Sequence, residues 1–184
     1  MYYCYMSLNS RQLRDIMVPN PEERMEVVHR RLDIQVVLHD VVDTYNVGSV
    51  FRLADAVGVS KVWLCGKTEC PPNPRIDKSS VGTHRWVDWS YVDRTMSVIE
   101  EIKMRDPNIN VVAIEQSEKS VGLMSVELEL PLVLIVGNET DGISDEVLEL
   151  SDTIIEMPMR GINKSLNVVV SMAMVIARIG SLMK

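Results

Sequence analysis

Five short runs rich in branched apolar residues, at 34–38, 62–65, 110–114, 132–136 and 153–156, alternate along this chain with stretches of helical periodicity. The runs have strand length and show little polar alternation, which is the pattern of strands covered on both faces. Between them, 47–57 carries Val47, Val50, Phe51, Ala54 and Val57 at helical spacing, and 94–105 carries Met96, Ile99 and Ile102. A repeated βαβ order predicts an α/β fold: a mainly parallel sheet flanked by helices, with ligands bound in loops at the carboxyl ends of the strands. Three such loops stand out, at 43–49, 137–144 and 157–167. The stretch 67–85, with Pro71, Pro72, Pro74 and Gly82, is too long for a simple connection and is expected to carry function.

The 184 residues fit one domain. Asn20-Pro21-Glu22-Glu23 reads as a capped helix start running to about Leu32, so 1–33 is expected to be an N-terminal tail and helix and 34–184 the main domain. A net charge of -7 and a pI near 5.0 lack the generic signature of a nucleic-acid binder, so any RNA contact must come from a local patch. Cys4, Cys65 and Cys70 form no disulfide framework and no Cys-x-x-Cys pair, which fits a reducing cytoplasm. His29, His39 and His84 lack zinc-site spacing, and no metal is expected. The first ten residues do not read as a signal peptide, and the apolar tract 166–179 is shorter than the roughly 18 to 20 residues that span a bilayer. That tract is expected to be a buried helix of a soluble protein. Its apolar character nearly all round asks for cover on more than one side, from the internal core or from a second copy of the chain.

Gly137 and Gly142 are spaced as in a phosphate loop, but Ile143 and Ser144 stand where such a loop needs Lys and Ser or Thr, and Glu139 and Asp141 would repel phosphates. No GxGxxG occurs, so ATP and NAD chemistry are disfavoured. Taken alone, Ser165 can cap the terminal helix, and Arg52 can be a surface arginine pairing with Asp55.

Read together, three segments carry more. Asn46-x-Gly48-x-x-x-Arg52-x-x-x-Ala56-x-Gly58, then Gly137-x-Glu139-x-x-Gly142-Ile143, then Met157-Pro158-Met159-x-Gly161-x-x-x-Ser165-Leu166-Asn167-Val168 resemble the three ordered motifs of the SpoU/TrmH-type RNA ribose 2′-O-methyltransferases of the SPOUT superfamily. The resemblance covers about 34–179, and 75–83 is similar to that family's substrate loop. It implies an α/β fold with a deep C-terminal trefoil knot, S-adenosylmethionine as cofactor, a homodimer, and methyl transfer to a ribose 2′-hydroxyl, with tRNA favoured over rRNA. After Asn167 the run Val168-Val169-Val170-Ser171 departs from the smaller or more polar residues usual there, a change that bears on helix packing more than on chemistry.

By the same resemblance Arg52 is the catalytic residue. A guanidinium with a pKa above about 12 is a reluctant base, so its expected role is to grip the phosphate beside the target ribose and stabilise the emerging alkoxide. Asn46 and Asn167 would orient substrate and loop, Ser165 would bridge cofactor and substrate loops, and Glu139 would hold the knot loop or the cofactor. Gly137 would permit close backbone approach to the cofactor, with Ser165 beside it and Ile114, Met157 and Leu166 in apolar contact. Arg52, Lys78, Arg85, Arg160 and Lys164 are the candidate RNA contacts, joined across a dimer into one basic track, with the acidic stretch 139–156 turned away apart from Glu139. The competing expectation is a non-catalytic RNA-binding dimer of the same fold, against which the joint presence of Asn46, Arg52, Glu139 and Ser165 speaks.

Overall fold

The computed structural model describes residues 31–182. The helix expected from Pro21 lies outside that range. Seven strands, β1 (Leu32–His39), β2 (Val59–Cys65), β3 (Trp89–Val92), β4 (Asn110–Ile114), β5 (Val121–Gly122), β6 (Leu132–Val136) and β7 (Thr153–Glu156), form one sheet in the order β3-β2-β1-β6-β4-β7-β5. Every pairing is parallel. Five helices accompany them among the described residues: α1 (Thr44–Val57), α2 (Pro74–Ser80), α3 (Thr95–Arg105), α4 (Asp145–Glu149) and α5 (Val168–Leu182). None is long and apolar enough to cross a membrane.

The near-continuous apolar reading of the strands has a direct cause. Side chains alternate across a strand, and here both faces are covered. Ile34, Val36 and Leu38 of β1 and Leu132, Leu134 and Val136 of β6 pack with Val47, Val50, Phe51 and Ala54 of α1 and Met172, Val175 and Ile176 of α5. Val37, Val133 and Ile135 point the other way, into Val98, Ile99 and Ile102 of α3 and Val147 of α4.

The stretch 67–85 holds α2 and a 3-10 turn at Thr83–Arg85. Asn73 starts α2, its Oδ1 accepting from Arg75 N–H at 2.9 Å with Pro74 at the first helical position. The helix lies across α1 at Gly48, where a Cβ would stand 1.9 Å from Ser79 Oγ, 2.7 Å from the Ile76 carbonyl oxygen and 2.9 Å from Ser80 N. Glycine at 48 is therefore a packing requirement of the α1–α2 crossing.

Candidate active site

Helix α1 begins at Thr44, capped by Asp43, whose Oδ1 accepts from Tyr45 N–H at 2.8 Å. Asn46 is thus a first-turn helical residue rather than the end of a loop, and it is buried, with 8% exposure. Its Nδ2 donates to Glu139 Oε1 at 2.6 Å, and its Oδ1 accepts from Asn167 Nδ2 at 2.9 Å. Asn167 in turn accepts, through Oδ1, the N–H of Val169 at 2.9 Å. The direction of this chain is fixed: an ionised carboxylate only accepts, so the amide of Asn46 must face Glu139 and its carbonyl must face Asn167. Four residues from three distant segments are joined by hydrogen bonds running one way, from the start of α5 to a single carboxylate.

These side chains border a cavity of about 540 Å³ lined from three sides: by Asn46 and Asp43 at the start of α1, by the 137–142 turn after β6, and by Met157, Met159, Ser165, Leu166 and Asn167 after β7. Ile114 and Glu115, at the end of β4, close its base. The volume is in the range of a small-molecule site, about 300 to 1,000 Å³. Its charge is one-sided. Asp43, Glu115, Glu139, Asp141 and Glu156 line it, and among the described residues no Lys, Arg or His does. Such walls favour a cation and oppose the phosphates of a nucleotide. Among the described residues no group of His, Cys, Asp and Glu is arranged to hold a metal ion.

The 137–142 turn is held by its own backbone and by Asn138. Asn138 and Gly142 exchange N–H···O=C bonds at 3.2 and 3.0 Å, Asn138 Oδ1 accepts from Thr140 and Asp141 N–H, and its Nδ2 donates to the Asp40 carbonyl at 2.8 Å. The missing side chain of Gly137 serves this turn: a Cβ there would meet Gly142 C at 2.5 Å and Ile143 Cγ1 at 2.6 Å. Glu115 completes the support, its Oε2 accepting from Ile143 N–H at 3.0 Å.

The family model described as SpoU rRNA Methylase matches residues 33–177. The chain belongs to this SpoU family. It is 31% identical over 179 residues to the tRNA (guanosine(18)-2'-O)-methyltransferase of Aquifex aeolicus, covering 96% of this chain and 77% of that one. It is also 31% identical over 153 residues to the enzyme of the same name from Thermus thermophilus, covering 82% and 76%. The crystal structure of the A. aeolicus TrmH/SpoU tRNA modifying enzyme aligns with a TM-score of 0.75 at 32% identity, over 85% of this chain and 79% of that one.

Within this SpoU fold, Ile114, Gly137, Met157, Ser165 and Leu166 all line the cavity, as do Asn46, Glu139 and Asn167. Arg52 does not. It is exposed on α1 outside the cavity, and its expected surface partner Asp55 is engaged by Arg31, at 3.8 Å. Lys78, Arg85, Arg160 and Lys164 are likewise exposed and outside the cavity, with Arg85 bound to Asp77 at 2.8 Å. Glu156 and Asp141, expected on a face turned away, belong to the cavity wall. The residue at the start of α5 whose side chain takes up a backbone N–H is Asn167 and not Ser165. Glu115 escaped the sequence reading because a carboxylate one residue past a strand end carries no motif of its own. The strand ends themselves, at Ile114 and Glu156, were the available signal.

Proposed function

We propose that this chain is an S-adenosylmethionine-dependent RNA methyltransferase that methylates a ribose 2′-hydroxyl, in tRNA ahead of rRNA, as a cytoplasmic homodimer whose C-terminal region forms the trefoil knot of its family. The observation that carries the reading is the Glu139–Asn46–Asn167 chain of hydrogen bonds at the edge of an acidic cavity, which ties all three motifs to one place. The names of the Aquifex and Thermus relatives support tRNA as the substrate.

The cavity suits the cofactor on its own terms. Ile114, Met157 and Leu166 offer apolar surface, and the carboxylates around them favour a ligand with a net positive charge. When bound, the sulfonium supplies an activated methyl group. The chain's residues hold and shield: the Asn138-braced turn and the 157–167 loop fix the walls, and Asn46 and Asn167 keep the α1 edge in register with them. Arg52 stands outside in one protomer, so it acts on the phosphate and emerging alkoxide of an RNA that approaches from outside, its own or a partner's cavity being the target. The exposed apolar stripe of α5, with Val170 at 47% and Met174 at 44% exposure, supports the homodimer. Cys65 and Cys70 are free thiols, in keeping with a reducing compartment.

The test is transfer of labelled methyl from S-adenosylmethionine to unmodified total tRNA and to rRNA, with digestion to nucleosides and mass spectrometry. Ribose-methylated nucleosides from tRNA are expected. Product from rRNA alone would reassign the substrate, and cofactor and RNA binding with no product from either would make the chain a non-catalytic RNA-binding dimer.

A further inference from the structure

Beside the acidic cavity, and sharing Asp43 with it, lies a second cleft of about 390 Å³ between the start of α1 and the 69–75 segment, bordered by Tyr45, Glu69, Asn73 and Arg75. Tyr45 is 49% exposed and adjoins Asn46 on the first turn of α1, whose backbone Asp43 holds by accepting Tyr45 N–H. The other exposed tyrosine among the described residues, Tyr91, has its hydroxyl tied to the Gly66 carbonyl at 3.0 Å. Seven residues separate Tyr45 from Arg52, about 20° short of two helical turns and about 10 Å along the axis, so the two share one outward stripe. Neither Glu69 nor Arg75 forms an ion pair among the described residues.

A cavity lined by five carboxylates and, among the described residues, by no cation disfavours the phosphates of the RNA backbone, which places the ribose at its rim with base and phosphates outside. Asp43 lines both the cavity and the cleft, and Tyr45 of the cleft adjoins Asn46 of the cavity in the chain. We propose that this cleft holds the nucleobase of the nucleotide being methylated, unstacked from the RNA and laid on the Tyr45 ring, with Glu69 and Arg75 at the base edge and the backbone leading along the α1 stripe toward Arg52. Aromatic platforms of this kind recognise single-stranded RNA bases through the ring face, which every base possesses. The inference rests on the methyltransferase reading above.

The experiment compares wild type, Tyr45→Phe, Tyr45→Leu and Tyr45→Ala in methylation of unmodified total tRNA, with calorimetric titration of S-adenosylmethionine and thermal unfolding for each. Stacking predicts that Tyr45→Phe keeps the wild-type KM for tRNA. Tyr45→Leu, which keeps apolar bulk without a π face, and Tyr45→Ala raise it about five- to one-hundred-fold, with cofactor affinity unchanged. If wild type methylates tRNA and Tyr45→Leu retains its KM, the proposal is overturned. So too if the variants lose cofactor binding or melting temperature in step with activity, since Tyr45 would then be structural. A wild type without methyl transfer would strike instead at the functional reading beneath it.

Discussion

Asn167 Nδ2 donates to Asn46 Oδ1 at 2.9 Å across 121 residues of chain, and this bond joins the first described helix, α1, to the residue that leads into α5. Asn46 is 8% exposed, so its amide has almost no access to water as an alternative partner. Replacing it takes from Glu139 Oε1 its Asn46 donor and from Asn167 Nδ2 its acceptor, while Asn167 Oδ1 keeps the Val169 N–H. Glu139 and Asn167 are exposed and can turn to water, so Asn46→Ala is expected to cost about 0.5 to 1.5 kcal/mol of stability per bond lost, the net worth of a hydrogen bond, and to lower methyl transfer by loosening the cavity edge. Asn46→Asp should be worse, because a carboxylate there faces Glu139 and cannot donate to it. Thermal unfolding and initial methylation rates check both, and an Asp variant equal to wild type would refute the assigned direction of the bonds.

Gly48→Ala tests the helix crossing. The added methyl meets backbone atoms of α2, the Ile76 carbonyl at 2.7 Å and Ser80 N at 2.9 Å, besides the Ser79 hydroxyl at 1.9 Å. A loss of about 1 to 3 kcal/mol is expected, as for other overpacked sites. Trimming the neighbour in a Gly48→Ala, Ser79→Ala double variant should recover only a part, because the backbone contacts remain. Full recovery of the melting temperature would show that the side chain alone set the constraint.

The elements most legible in the sequence were those buried on both faces. β4, β6 and β7 coincide with their apolar runs, because a strand between two helical layers carries apolar, mostly branched residues on both faces along its buried positions. β3 and β5 were not legible: Trp89–Val92 is a partly exposed edge strand and Val121–Gly122 has only two residues, so neither burial nor length left a pattern. The site was legible as types at spacings, through Asn46, Glu139 and Asn167, but their mutual contacts were not, since a hydrogen bond across 121 residues leaves no local trace. Gly48 and Gly137 illustrate the limit. Both were part of a motif, yet the structure uses the first for a helix crossing and the second to bring its own turn together.

Arg52 is exposed, outside the cavity and in no ion pair among the described residues, so its removal should leave the protomer intact. Arg52→Ala is expected to keep the melting temperature and the affinity for S-adenosylmethionine while lowering turnover by about 10²- to 10³-fold, as for loss of a charge-stabilising donor. Arg52→Lys should recover little, because a point charge does not reproduce the guanidinium fork. Turnover within a few-fold of wild type in the alanine variant would remove Arg52 from the reaction.

His39, at the end of β1, ties β1 to α3 and α4: its Nδ1 lies 2.7 Å from Thr95 Oγ1, and its Nε2 accepts a long contact of 3.5 Å from Ser144 N–H. An Nε2 that accepts is unprotonated, so the neutral ring donates through Nδ1–H to Thr95. Burial pushes its pKa below the ordinary 6.5, against the opposing pull of Asp40 and Glu146. His84, beside Ser80 at 2.9 Å, is lowered for the same cause, with Asp77 opposing and Arg85 assisting. Where the folded pKa lies below the unfolded one, the unfolded chain binds more protons as the pH falls, so the stabilisation is complete above 6.5 and is lost as the pH drops from 6.5 through the folded values. Wild type should therefore melt at a lower temperature at pH 5 than at pH 7.5. His39→Gln, whose amide can still donate to Thr95, should show a smaller drop over that interval. An unchanged slope in the Gln variant would mean that the imidazole of His39 titrates alike in the folded and unfolded chain.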